Sequence, residues 1–88
     1  MTEPIPKGKQ VGEITHFFGK IGVAVVKASD TIKAGDAIVI SGHGQEFEQV
    51  VDSLEVEHKQ VPEIKTGEEA GMKVAQPIKE GYTVYLKA

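Results

Sequence analysis

Apolar and polar positions alternate along most of this chain, but only in short lengths. In residues 10–18, Ile14, His16 and Phe18 fall on one face of a strand and Val11, Glu13, Thr15 and Phe17 on the other. Each face carries an aromatic, so the pattern does not say which is the inner one. Gly19-Lys20 stands where a two-residue hairpin loop with glycine first would stand, and the chain returns through Val-Ala-Val-Val between Gly22 and Ala28. A hairpin is predicted. Turn-formers Asp30 and Gly35-Asp36 then lead into Ala37, Ile38, Val39 and Ile40, a β-branched run closed by Gly42. Ile38 and Ile40 are expected to point inward, with Gly35 in a turn conformation that a Cβ would strain.

After the break at Gly42-His43-Gly44, the apolar positions Phe47, Val50, Val51, Leu54 and Val56 fit neither strict alternation nor a helical period. A strand with a bulge near Asp52-Ser53 accounts for the slip, with an amphipathic helix as the competing reading. Residues 59–67, with Pro62 and Gly67, read as a connection holding at most one turn of helix. Beyond them Ala70, Met72 and Val74 alternate with polar or small residues, and after Gln76-Pro77 a final strand carries Val84 and Leu86. About six short strands and no long helix predict an all-β fold, a small six-stranded antiparallel β-barrel, whose closure would leave no open edge. Residues 1–9, with Pro4, Pro6 and Gly8, read as a flexible lead-in, and residues 10–88 as a single barrel domain.

Composition narrows the chemistry. Ten lysines, no arginine and thirteen acidic residues give a formal charge of −3, which excludes a broad basic footprint for nucleic acid. There is no cysteine, hence no disulfide or thiolate metal site. No apolar h-region opens the chain and no stretch approaches the length of a membrane span, so a cytoplasmic protein without membrane contact is expected. His16, His43 and His58 have no partner at ligand spacing, and neither a nucleophile elbow nor a phosphate loop is present. The expectation is therefore a non-enzyme with no cofactor, metal or nucleotide. Phe17 and Phe18 beside Lys20 are the nearest thing to a base-stacking and phosphate-holding patch, and the loop His43-Gly44-Gln45 lets a partner approach the backbone closely. These six are the candidate binding residues.

The ordered set TIKAGD, AIVISG, Val51 to Leu54, Gly67 and the Gly81 turn resembles the second domain of translational GTPases such as elongation factor Tu, across nearly the whole chain. The matching turn residues are Thr31, Ile32, Lys33, Gly35 and Asp36. The segments VGEITHFFGKIGVAV and SGHGQEFEQVVDSLEVEH resemble small stand-alone translation elongation factor-like proteins, and also the barrel appended to some collagenase-like peptidases. The resemblance to the translation factors implies a six-stranded barrel of the domain-two type, without the GTPase domain, acting as an RNA- or ribosome-associated binding module. Ala75 falls about where the tRNA-binding factor has an arginine. The alternative is a protein-interaction barrel that docks through loops or a strand edge and has no nucleic-acid role.

Overall fold

A computed structural model describes residues 7–87 as an all-β domain of ten antiparallel strands. In chain order they are β1 (Lys7–Phe18), β2 (Val23–Ala28), β3 (Ile32–Lys33), β4 (Ala37–Gly42), β5 (Gln45–Val50), β6 (Leu54–Val56), β7 (Lys59–Val61), β8 (Glu63–Ile64), β9 (Glu69–Lys73) and β10 (Thr83–Lys87). Eight of them form one sheet in the order β5-β4-β10-β1-β2-β9-β6-β7, and β3 pairs with β8 as a separate two-stranded ribbon. The expected six-stranded closed barrel is corrected on both counts. Among the described residues the hydrogen-bonded order is open, ending at β5 and β7, and the extra strands come from segments too short to show a period in sequence.

β1 resolves its own ambiguity with bulges. Its pairing slips twice against β10, between Lys7 and Gln10 and again at Val11, and once against β2, at Thr15. Each extra residue reverses the alternation, so Val11, Ile14 and Phe17, three apart, all turn to the core. β1 also starts at Lys7 rather than Gln10. The Lys9 ammonium pairs with the Asp30 carboxylate, and this bond, with the Thr31 N–H that Asp30 Oδ1 accepts at 2.7 Å, holds the carboxyl below its ordinary pKa. The remainder of the expected lead-in, residues 1–6, lies outside the described residues.

The turn at residues 31–36 forms as expected. Asp36 Oδ2 accepts the Lys33 N–H at 3.0 Å, and Gly35, at φ 95°, donates its N–H to Val51 O at 2.7 Å. Val51 N–H returns a bond to Asp36 O at 2.9 Å. The break after Val50 is thus the end of β5, fastened to this turn, and not a bulge or a helix. Glu57-His58 then makes a two-residue hairpin between β6 and β7, where a connection was expected. Ile38 and Ile40 point inward and are fully buried, packed with Ile14, Leu54, Met72 and Val84. Val39, between them, is equally buried on the opposite face, flanked by Tyr85 and Glu48 across the strands.

Candidate functional site

Strand directions gather three connections at one end of the molecule: residues 19–22 between β1 and β2, 43–44 between β4 and β5, and 74–82 between β9 and β10. The first is a four-residue turn, not the two-residue loop expected at Gly19-Lys20. Ile21 N–H and Gly22 N–H both reach Phe18 O, at 3.3 and 3.0 Å, and the positive φ of 66° falls at Gly22. The second is a two-residue turn with positive φ at both positions, 49° at His43 and 78° at Gly44, matching the twist of the strands it joins.

The long connection lies between these two turns and is fastened to both. Val74 N–H donates to Gly22 O at 3.0 Å. On the other side, the Tyr82 hydroxyl donates to Gln45 Oε1 at 2.9 Å, and Gln45 Nε2 donates to Gln76 Oε1 at 2.8 Å. The His43 ring leans on Tyr82 with centroids 5.2 Å apart. His16 Nδ1 lies 3.1 Å from Glu80 Oε1 while its ring meets the edge of Phe18 at 4.4 Å. Of the six sequence-chosen residues, Phe18, His43 and Gln45 are held by these contacts. Phe17 packs half-buried on the core and walls a cleft of about 220 Å³ with Val74, Ala75, Gln76 and Pro77. Phe18 is 46% exposed; Lys20 projects from the turn beside Ile21, which is 67% exposed. His43, Gly44 and Gln45 form the facing wall of the connection. The two sequence clusters therefore share one end of the molecule.

Sequence reasoning missed the residues between them: Gln49, Val74, Ala75, Gln76, Pro77 and Tyr82. The signal available was the Gln-Pro interruption after Val74, which breaks alternation without supplying a tight turn. A second cleft, about 400 Å³, adjoins the first through Val74 and Ala75 and is completed by Gln49, Val50, Asp52 and Lys73. Here Gln49 Nε2 donates to Lys73 O and Gln49 Oε1 accepts from Ala75 N–H, each at 2.8 Å. A third cleft, about 420 Å³, lies on the outer face of β1 and β2 around Thr15, whose Oγ1 is 3.3 Å from Glu69 Oε2. Among the described residues no group of three or more His, Asp or Glu side chains could hold a metal ion, and no helix is long and apolar enough to cross a membrane.

No profile of a known protein family matches the chain. It is 36% identical over 78 residues, 88% of its length, to an uncharacterised protease of Methanocaldococcus jannaschii, and spans 19% of that protein. Two crystal structures of the C-terminal domain of a Geobacillus thermoleovorans protein described as a U32 peptidase share the fold. One aligns with TM-score 0.85 at 17% identity, covering 91% of this chain and 93% of that domain. The other, its selenomethionine variant, aligns at 0.84 and 17%, covering 89% and 99%. These findings overturn the translation-factor assignment and the RNA- or ribosome-associated role that depended on it. They give no support to the alternative of an interaction barrel. The expectation of a non-enzyme is corrected as well, since both relatives are named for proteolysis. Of the two likenesses drawn from VGEITHFFGKIGVAV and SGHGQEFEQVVDSLEVEH, the one to a barrel appended to peptidases lies on the side of these relatives. The translation-factor reading went wrong because a TIKAGD turn feeding a buried strand reports a local fold, and fold carries no function by itself.

Proposed function

We propose that this chain takes part in peptide hydrolysis as the β domain of a peptidase, with the end formed by residues 19–22, 43–44 and 74–82 turned toward the rest of the enzyme. The observation that carries the reading is the 36% identity, sustained over 88% of the chain, to a segment amounting to 19% of a protease. The surface at that end supports it. Phe18 and Ile21 are both exposed at the β1–β2 hairpin, the kind of apolar projection that a neighbouring body covers. A cysteine-free composition asks nothing of an oxidising compartment, and the cytoplasm is the proposed setting.

The experiment uses the Methanocaldococcus relative whole, with its matching segment deleted, and with that segment replaced by this chain. Hydrolysis of fluorescein-labelled casein is measured for each, with a thermal melt to establish folding. Deletion is expected to lower hydrolysis and replacement to restore it, while Phe18→Ser with Ile21→Ser in the replacement lowers it again. A folded replacement no better than the deletion would sink the reading. The 88-residue chain is assayed alone in parallel, and cleavage there would place the chemistry within it.

A further inference from the structure

The geometry points to a binding lane for an extended polypeptide between β5 and residues 73–75, held shut by the side chain of Gln49. β5 ends the sheet, so among the described residues no strand is paired along its outer edge. What faces it is Lys73 to Ala75, yet no ladder joins the two. The gap is spanned by a glutamine side chain plus a hydrogen bond, a reach greater than the ladder spacing of about 4.8 Å. Two backbones too far apart to pair directly, with a polar filler between them, leave room for a third.

The filler also shows what that third backbone must offer. Lys73 O accepts and Ala75 N–H donates, both toward the same side of Val74, and together they clamp one donor and one acceptor. An extended residue presents its own N–H and C=O to one side, and a residue in a parallel strand bonds the carbonyl before and the amide after its partner in this same pattern. The Gln49 carboxamide is an internal stand-in for one residue of an added strand. The walls suit the side chains of such a segment. Val50 is 55% exposed beside the clamp, and the lane continues through Val74 and Ala75 into the apolar cleft against Phe17 and Pro77. Asp52 and Lys73 stand at the lane with opposite charges, so neither sign is selected and main-chain bonds decide the occupant. The occupant is an extended, unfolded stretch of polypeptide held through its main chain, with neither sign of charge preferred; its identity as substrate rests on the peptidase reading above.

The test is made on the 88-residue chain alone, so it fails or succeeds separately from the casein assay. The probe is a fluorescein-labelled ten-residue peptide of alternating valine and threonine with lysine at both ends, beside a twin methylated at alternate backbone nitrogens. Anisotropy gives affinity, and amide NMR shifts give location. Gln49→Ala should tighten binding of the plain peptide about tenfold, because internal hydrogen bonds no longer compete. The shifts should centre on Val50 and on Lys73 to Ala75, and the methylated twin should bind neither form. Absence of binding by a folded Gln49→Ala protein, equal binding of the methylated peptide, or shifts centred away from this lane would each overturn the proposal. Should Gln49→Ala fail to fold, the plain and methylated peptides against the wild-type chain still decide it: binding of the plain peptide alone, with shifts at Ala75, upholds the lane and any other result removes it.

Discussion

Single residues at the loop end act through contact distances more than through propensity. A Cβ built on Gly42 would meet Tyr82 Cγ and Cδ1 at 2.8 Å and its Cα at 3.1 Å. Tyr82 is held against retreat, being 3% exposed with its hydroxyl bonded to Gln45. Gly42→Ala should therefore overpack the site and destabilise the domain by about 1–3 kcal/mol, read as a lower urea midpoint with unchanged slope. A loss within error of zero would mean that the ring moves freely and that the Tyr82–Gln45–Gln76 chain does not order this end. Gly42 was legible in sequence only as a strand terminus. Its real constraint, a tyrosine forty residues away, has no trace in local pattern.

At the level of elements, the turns decide how much of the fold could be read. Where a period of two persisted, as in Ala70 and Met72 or Val84 and Leu86, strand and inner face were both evident, and the four-residue run at Ala37 needed no period at all. Where strands shrink to two or three residues, as in β3, β6, β7 and β8, alternation has no length in which to appear. The hairpin between β6 and β7 was hidden for a second reason: its turn, Glu57-His58, holds φ values of 51° and 66° without the glycine or asparagine that announces such turns. That choice carries strain. A left-handed conformation costs an ordinary residue about 1–2 kcal/mol, while glycine's looser unfolded chain returns about 0.5–1 of it. His58→Gly should consequently stabilise the domain by about 0.5–1 kcal/mol in a denaturant titration, and a destabilised variant would show that the imidazole makes a compensating contact. The candidate site was legible in part for a related reason. Phe17, Phe18 and His43 sit next to turns, and turns at one end of an antiparallel sheet converge, but Gln49 lies inside a strand where only the third dimension reveals its partner.

For the whole molecule, the sheet order ranks its parts. β1 lies between β10 and β2, and β10 between β1 and β4, so these strands are paired on both sides along the fully buried Ile38, Ile40 and Val84. β7 is three residues long, carries no buried side chain and closes one margin of the sheet. Hydrogen exchange followed by mass spectrometry should find the slowest amides in β1, β4 and β10 and the fastest strand amides in β7, which can open without disturbing the rest. Equal protection of β7 and β10 would indicate that the sheet opens only as a unit.

The position of β10 has one more consequence. It is the last of the described strands in chain order, yet Glu13 pairs with Thr83 and Ile40 with Val84, so it is the wedge that joins β1 to β4. A chain emerging from the ribosome can make the β1–β2 and β4–β5 hairpins early, but these stay separate ribbons with their apolar faces bare until residues 83–87 appear. For that interval the nascent protein depends on whatever shields such faces, and a chain cut short before Thr83 would be a target for quality control, not a smaller working domain.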